Sequence, residues 1–218
     1  MQDISRTIVI SSHIDDDIVG EVIQRILDIS QFDDDNEGVF RDYERKPIEL
    51  FINSVGGSAT AGFALCDVMR MSNTPIITFG VGQVCSVALA IYLSGDTRVT
   101  TKNTRFMYHS VAYGVEGLLL DHEEALIESK ILQSNYDNLI LDNSKLTKET
   151  LEKVIKAKKD FFISAEESVQ YGMSDVIMEQ REKVNYFAQA QDQTDEPIEE
   201  QVDYPVDEEP TTENVQEQ

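Results

Sequence analysis

Short apolar runs typical of strands alternate along this chain with segments of helical periodicity, and this alternation restricts the fold more than any other feature. The run from Thr7 to Ser11 predicts a first strand, and the apolar spacing Ile18, Val22 and Ile26 predicts a helix after it. The alternation continues with strands expected at 48–53, 76–81, 98–99, 105–109 and 176–178, and helices at 58–71, 86–94, 118–141, from 147, and at 164–172. No internal repeat is visible, so the pattern predicts an α/β fold of repeated βαβ-like units.

Acidic residues greatly outnumber basic ones. The chain has 18 Lys and Arg against 41 Asp and Glu, which gives a formal net charge of −23 and argues against nucleic-acid binding. Much of this charge lies at 15–17, at 33–35 and near the C-terminus. We interpret these groups as solvated faces and disordered ends.

The composition also predicts where the folded domain ends. Residues 30–47 are acidic and irregular, which indicates a surface insertion. From 189 the chain is rich in Asp, Glu, Gln and Pro and has few large apolar residues. We therefore expect one domain at 1–188 followed by a disordered acidic tail at 189–218.

The two cysteines and the apolar segments bear on the cellular compartment. Cys66 and Cys85 lie in apolar segments and do not suggest a disulfide framework, and no signal peptide is visible. The apolar stretch from Pro75 to Gly95 is nearly long enough to span a bilayer, but its glycines and polar residues at 80–86 favour a buried strand, turn and helix. We expect a cytoplasmic protein that does not enter a membrane.

Residue types required for acyl transfer occur at four places in the chain. Ser86 follows an apolar run at a predicted strand-to-helix turn, and Gly56–Gly57 lies upstream of it. His109 ends a predicted strand, and Asp160 follows later. A serine needs an imidazole to accept its proton, a carboxylate to orient that imidazole, and N–H donors for the developing oxyanion. The set is therefore a candidate catalytic site.

Each member of this set also has a simpler interpretation. The two glycines could form a tight turn before a helix, and Cys85 is a rival nucleophile next to Ser86. His122 lies among acidic residues on a predicted helix and is expected at the surface, whereas His13 is expected to be structural. Spacing along the chain does not show that Ser86, His109 and Asp160 meet.

Four motifs together resemble the Clp protease proteolytic subunit family. They are Phe51–Ser58 (FINSVGGS), Gly82–Ser86 (GQVCS), Met107–His109 (MYH) and Asp160–Ala165 (DFFISA). The stretch Glu167–Asp175 (ESVQYGMSD) is also similar, and the resemblance runs in order from about Ile4 to Glu179. It implies the ClpP/crotonase fold.

The resemblance implies a serine peptidase and assigns its residues. Ser86, His109 and Asp160 match the family's catalytic triad, and Gly57 and Val87 match its two oxyanion N–H donors. It implies no cofactor and no metal. It also implies polypeptide substrates that are cleaved through an acyl-enzyme.

The resemblance further implies an assembly. The region 110–143 matches the handle through which rings stack, and the extended segment around Gly114 to Gly117 matches the strand that pairs with substrate. Family members form two stacked seven-membered rings around a chamber and receive unfolded chains from an AAA+ ATPase. This chain has no Walker A loop, so any ATP dependence would belong to that partner.

Several positions depart from the family pattern. Val55 and Val87 replace a usual Pro and Met, and Phe161 stands where an Arg commonly joins ring-to-ring ion pairs. Glu49 takes a position in the ATPase-docking pocket that is usually aromatic. The chain begins almost at the first core strand and lacks most of the segment that forms the axial loops in the family. These departures predict a divergent member, virus-encoded or an accessory paralogue, with altered docking.

Two other functions remain open from the sequence. The chain could be a catalytically inactive structural subunit of a mixed ring, although such paralogues usually lack triad residues. It could also perform another crotonase-fold reaction, such as acyl-CoA chemistry, which the complete triad disfavours.

Overall fold

The computed structural model describes residues 4–178. Its strands are β1 (Thr7–Ile10), β2 (Ile48–Ser54), β3 (Ile76–Cys85), β4 (Thr97–Thr101), β5 (Arg105–Tyr108), β6 (Phe161–Ile163) and β7 (Val176–Met178). Its helices are α1 (Asp16–Glu37), α2 (Ala59–Met71), α3 (Val87–Leu93), α4 (Leu119–Asp142), α5 (Lys148–Ala157) and α6 (Ala165–Gln170). The α/β class is confirmed, and the predicted tail at 189–218 lies outside the described residues.

The strands form one sheet with β3 near its centre. The main order is β1-β2-β3-β4-β7, and β5 pairs with the last residues of β3 on one side and with β6 on the other. Every pairing is parallel except that of β5 with β6. The carboxyl ends of β3 and β5 therefore lie at the same edge as the amino end of β6.

One face of the sheet and α3 form the core. Inward-facing residues of the first two strands, such as Ile10, Leu50 and Ile52, are almost fully buried. All seven residues of α3 are buried too, which is typical of a helix that is apolar on every side. Residues 75–95 are thus a strand and a short internal helix, and no helix within residues 4–178 is long and apolar enough to cross a membrane.

The prediction of an irregular insertion at 30–47 is wrong in its first half. Helix α1 begins after the N-cap Asp15, whose side chain accepts a hydrogen bond from Ile18 N, and continues to Glu37. The helix continues because Ile26, Ile29 and Asp33 lie on one face and are buried together. Only the segment after Gly38 is irregular.

Asp33 is a buried anchor, not part of a solvated acidic face. Its carboxylate pairs with the Arg6 guanidinium and accepts hydrogen bonds from Tyr43 Oη and from Thr74 Oγ1, the last at 2.6 Å. Burial alone would raise the pKa of Asp33, but the hydrogen bonds from Arg6, Thr74 and Tyr43 lower it to about 2. The network joins the residue before β1, helix α1, the 38–47 segment and the connection between α2 and β3.

Two strand predictions also need correction. β3 extends to Cys85 instead of ending at Val81, because its last three residues gain β5 as a partner. The short strand β6 has no counterpart among the strands expected from the sequence, and its three residues become a strand by pairing with β5. Both differences lie beside the candidate site.

Candidate active site

Ser86 occupies a strained turn between β3 and α3. Its backbone has φ 56° and ψ −132°, a combination that a residue with a side chain rarely adopts. The turn is held by a hydrogen bond from Ser86 N to Met107 O at 2.9 Å. Tyr136 Oη also donates to Ser86 O at 2.9 Å. Strain of this kind is often found at functional sites, since the surrounding structure must enforce it.

His109 and Asp160 flank the ends of two paired strands. In the antiparallel β5–β6 ladder, Tyr108 lies opposite Phe161. The ladder ends at this pair, and one further step of the same register would place His109 opposite Asp160. Opposed residues in such a pair have Cα atoms about 4.5–5.5 Å apart, so the two side chains start within reach of each other. His109 is partly buried, and Asp160 is exposed.

Ser86 and His109 share a small cavity. They line it with Phe63, Val87 and Tyr136, and its volume is about 20 Å³. No hydrogen bond joins the side chains of Ser86, His109 and Asp160 in the described part of the chain. The three predicted residues therefore lie at one edge of the sheet, without the hydrogen bonds that would connect them.

The glycine pair lies directly against the Ser86 turn. Gly56 has φ +96°, and a Cβ built on it would lie 2.6 Å from Ser86 Cβ. Gly57 lies beside Ile14, which donates its N–H to Gly56 O at 3.0 Å and accepts from Ser58 N at 2.8 Å. The groups that bond to Ile14 belong to Gly56 and Ser58, the two neighbours of Gly57. The N–H of Gly57 itself has no acceptor among residues 4–178.

Val87 supplies a second unpaired amide next to Ser86. It is the first residue of α3, where a helix has no internal acceptor for the N–H, and the Ser86 side chain does not cap the helix. No described residue accepts from this amide. The backbone N–H groups of Gly57 and Val87 are thus both without an acceptor among residues 4–178.

The rival residues do not fit the site as well as Ser86. Burial, followed by the negative charge of Asp160, raises the pKa of Cys85, so its thiol is a poor source of thiolate. Cys85 is also only 6% exposed. His122 is exposed on α4, as expected. His13, which was expected to be structural, is instead exposed in the connection between β1 and α1.

Comparisons with known proteins identify the family. The sequence pattern described as Clp protease matches residues 2–181 of the chain. The chain belongs to the Clp protease family. This membership supports proteolysis by a serine peptidase as the activity of the family at large.

Curated relatives and a solved structure agree with this assignment. A protein named ATP-dependent Clp protease proteolytic subunit 2 from Chlamydia pneumoniae is 29% identical over 184 residues, covering 83% of this chain and 84% of that protein. A protein of the same name from Treponema pallidum (strain Nichols) is 30% identical over 139 residues, covering 62% and 68%. A ClpP1 mutant from Listeria monocytogenes has a TM-score of 0.68 and 26% identity, covering 81% and 92%. The ClpP fold is thereby confirmed, and the low identities confirm a divergent Clp family member.

Two of the departures from the Clp pattern have a clear place in the structure. Phe161 is partly buried and packs against Tyr171, with ring centroids 6.2 Å apart, so it contributes to the core. Glu49 lies on β2 and accepts a hydrogen bond from Thr7 Oγ1 at 3.3 Å. Phe161 thus packs with the core, and Glu49 places a carboxylate on the outer face of the sheet.

The region 110–143 contains residues that the sequence did not single out. Tyr136 on α4 is 4% exposed, stacks on Tyr108 with centroids 5.3 Å apart, and reaches Ser86 as described above. Gln133, one turn earlier, accepts from Val111 N at 2.7 Å and donates to Tyr108 Oη at 3.2 Å. No sequence signal indicated these contacts, because they join residues that lie far apart in the chain.

Proposed function

We propose that this Clp family member is a serine endopeptidase that cleaves unfolded polypeptides or short peptides through an acyl-enzyme. The observation that carries the proposal is the meeting of Ser86, His109 and the start of β6 at one edge of the sheet, with Ser86 in a strained turn. The free amides of Gly57 and Val87 beside that turn support the same chemistry.

The reaction follows from the roles of these groups. His109 accepts the Ser86 hydroxyl proton while Oγ attacks the carbonyl carbon of the peptide bond, and Asp160 orients and stabilises the imidazolium. The tetrahedral oxyanion accepts hydrogen bonds from Gly57 and Val87, each of which is worth about 10²–10³ in rate at such sites. His109 then protonates the leaving amine, and the acyl-serine ester remains. A water molecule, deprotonated by His109, hydrolyses this ester.

The missing hydrogen bonds between the three side chains are compatible with this mechanism. In enzymes without substrate, catalytic hydrogen bonds are often long or poorly aligned and tighten only in the complex. The backbones of His109 and Asp160 adjoin the last opposed pair of the ladder, Tyr108 and Phe161, which keeps the two side chains close to each other.

Substrate binding is proposed for the segment around Gly114 and Gly117. Residues 109–116 have no strand partner in the described chain, and both glycines are exposed. A Cβ on Gly114 would meet no atom within 4 Å, so a peptide has room to approach the backbone. An extended substrate could pair with this segment as an added strand.

An active-site probe tests the proposal. A fluorophosphonate probe should label the purified chain, and Ser86→Ala should abolish both labelling and peptide cleavage while the assembly mass in native mass spectrometry stays unchanged. Cys85→Ala is the matched control and should keep the labelling. Labelling that persists in Ser86→Ala and disappears in Cys85→Ala would refute the assignment of the nucleophile.

A catalytically inactive structural subunit of a mixed ring is the second candidate. The observation that favours it is the absence of hydrogen bonds among Ser86, His109 and Asp160 in the described structure. Under this alternative the chain would assemble, alone or with a related subunit, but would neither react with the probe nor cleave peptides.

We also propose assembly into a heptameric ring, with ring stacking through the handle. Exposed apolar residues at the start of α4 support this, because Leu118, Leu119 and Leu120 are 67–76% exposed and Ile127 is 58% exposed. Monomeric proteins rarely expose so many neighbouring apolar side chains.

A partner AAA+ unfoldase is proposed from the ATP-dependent relatives and from the outer face of the sheet. The strand register aligns Val9, Phe51, Phe79, Val99 and Val176 in one row across five strands. The rings of the two phenylalanines stack with centroids 4.5 Å apart, and both end residues of the row are at least half exposed. We propose that this row receives an apolar segment of the unfoldase.

Glu49 is the altered feature of this docking face. It lies in the neighbouring row, opposite Thr7 and Ile77. The charge therefore borders the apolar row without interrupting it. An apolar partner segment would keep its contacts with the row and would meet one carboxylate at the margin.

A further inference from the structure

A tyrosine of α4 bonds to the peptide unit that carries one of the two proposed oxyanion donors. The Ser86 carbonyl and the Val87 N–H belong to the same peptide group, which is trans. In a planar trans peptide the C=O and N–H bonds point in opposite directions. Whatever fixes the direction of the Ser86 carbonyl therefore also fixes the direction of the Val87 N–H.

Two hydrogen bonds hold the Ser86 carbonyl. Leu89 N donates to it at 2.9 Å within the first turn of α3, and Tyr136 Oη donates to it at 2.9 Å from α4. A carbonyl oxygen has two lone pairs, so these two bonds use its accepting capacity. The bond from Leu89 moves with α3, whereas the bond from Tyr136 ties the carbonyl to a different helix.

The backbone strain at Ser86 makes this tie important. At its φ of 56°, the left-handed region has ψ of about +30° to +60°, but Ser86 has ψ −132°. A rotation of the following peptide unit toward that region would relieve the strain and turn the Val87 N–H away from its present direction. The same rotation would break the bond from Tyr136. This bond therefore opposes the movement that the strain favours.

Tyr136 meets two requirements of such a role, a fixed ring and a protonated hydroxyl. Its side chain is 4% exposed, and its ring stacks on Tyr108 with centroids 5.3 Å and planes 15° apart. Burial above all raises the pKa of Tyr136 well above its usual value. The hydroxyl is therefore neutral at neutral pH and remains available as a donor to the carbonyl.

We propose that Tyr136 is a positioning residue, whose hydroxyl holds the Ser86–Val87 peptide unit so that the Val87 N–H faces the developing oxyanion. This inference rests on the proposed serine peptidase function. The hydrogen bond to the carbonyl also polarises the peptide group, which strengthens its N–H as a donor. Because the oxyanion exists only after attack, the effect stabilises the transition state more than the bound substrate.

Removing only the hydroxyl tests the inference. Tyr136→Phe keeps the ring that stacks on Tyr108 and deletes the bond to the Ser86 carbonyl. Complete loss of one oxyanion donor costs about 10²–10³ in kcat, and here the N–H is still present but less firmly held, so we expect kcat for a fluorogenic peptide to fall by about tenfold. KM should stay near its wild-type value, which is the signature of an interaction made in the transition state.

A peptide aldehyde gives a readout that a merely structural role would not move. Ser86 Oγ adds to the aldehyde carbon, its proton passes to His109, and the former carbonyl oxygen becomes an oxyanion that accepts from Gly57 and Val87. Tyr136→Phe should weaken aldehyde binding by about the same factor as kcat. The corresponding peptide alcohol forms no adduct and should bind to the variant as it binds to wild type.

Tyr92→Phe is the matched control. Tyr92 is a fully buried tyrosine of α3, and its hydroxyl shares a hydrogen bond of 2.7 Å with Ser174 Oγ. Both variants lose one buried hydrogen bond, so both should lower the urea concentration of half-unfolding. Only Tyr136→Phe should lower kcat and the affinity for the aldehyde. If native mass spectrometry shows that Tyr136→Phe does not assemble, Tyr136→Met, which also lacks the donor, should show the same losses.

Each result has one meaning. Wild-type values of kcat and aldehyde affinity in the Tyr136 variant, an increase in KM alone, or equal losses in Tyr92→Phe would overturn the inference and leave the proposed peptidase intact. Wild-type protein that neither cleaves peptides nor reacts with a fluorophosphonate would overturn both. Parallel losses of kcat and aldehyde affinity that are confined to the Tyr136 variants would support the inference.

Discussion

Replacing Gly56 by alanine tests whether the glycine pair holds the nucleophile turn in place. Gly56 has φ +96°, and a Cβ at this position would lie 2.6 Å from Ser86 Cβ, 2.7 Å from Cys85 O and 3.2 Å from Ser86 Oγ. The added methyl group would therefore meet the backbone before the serine and the serine side chain itself. We expect Gly56→Ala to impair both folding stability and catalysis.

The loss of stability has two sources that can be estimated. A residue with a side chain pays about 1–2 kcal/mol to adopt a left-handed backbone conformation. Overpacking a close contact costs about 1–3 kcal/mol more. The free energy of unfolding should therefore fall by about 2–5 kcal/mol, a large fraction of the roughly 5–15 kcal/mol that stabilises a typical domain.

The loss of activity follows from the displacement needed to relieve the contact. Ordinary contact with a Cβ begins at 3.4 Å, so the Ser86 turn or the glycine turn must shift by about 0.8 Å. A misplacement of about 1 Å at a reacting group costs about 10²-fold in rate. We expect kcat/KM for peptide cleavage to fall by about 10²-fold.

Gly20→Ala is the matched control for this experiment. Gly20 is an exposed residue of α1, and a Cβ there would meet nothing within 4 Å. Because alanine is the better helix former, this variant should gain roughly 0.5–1 kcal/mol and keep full activity. The measurements are urea unfolding and steady-state kinetics. If Gly56→Ala unfolds at the wild-type urea concentration and keeps the wild-type kcat/KM, the reasoning about the turn is wrong.

Two further predictions concern other parts of the molecule. Despite its burial, the hydrogen bonds from Arg6, Thr74 and Tyr43 lower the pKa of Asp33 from its usual value of 3.8 to about 2. The ionised carboxylate therefore contributes on the order of 2 kcal/mol at pH above about 4, and this contribution is lost as the pH falls toward 2. Urea unfolding from pH 7 to pH 2 should show that Asp33→Asn loses most stability near neutral pH and little at pH 2, and a pH-independent difference would contradict this explanation. On the outer face of the sheet, Val9→Glu should abolish the ATP-dependent degradation of a folded protein by a mixture with an AAA+ unfoldase, while unassisted peptide cleavage continues at the wild-type rate. Equal degradation by Val9→Glu and wild type would exclude the apolar row as the docking face.

Local sequence predicted the elements whose residues specify them without distant partners. The N-cap role of Ser164 and its reciprocal bond with Glu167 follow from a four-residue motif, and the structure contains both bonds. The bounds of strand β2 and helix α2 were predicted nearly to the residue. Each element has a clear period of apolar residues and a residue type that marks where it begins or ends. The short strand β6 was missed because three residues are too few to show a hydrophobic period. The strand forms only by pairing with β5.

The residues of the candidate site also fall into those that the sequence indicated and those that only the structure revealed. Ser86, His109 and Gly57 could be selected because each follows or begins a recognisable element, and the motifs around them resemble one family. No motif or periodicity singled out Tyr136, because its contact with Ser86 joins positions fifty residues apart. The size of the cavity was equally unpredictable, since it depends on how α2 and α4 approach each other.

The sequence by itself determined the alternation of strands and helices, the membership of the Clp protease family and the residue types available for acyl transfer. These properties depend on local periodicity and on short motifs, which a linear chain contains in full. The tertiary structure decided that Asp33 is a buried anchor, that β5 brings the ends of β3 and β6 to one edge, and that Tyr136 donates a hydrogen bond to Ser86. Such properties arise from contacts between distant segments, so they exist only once the chain has folded.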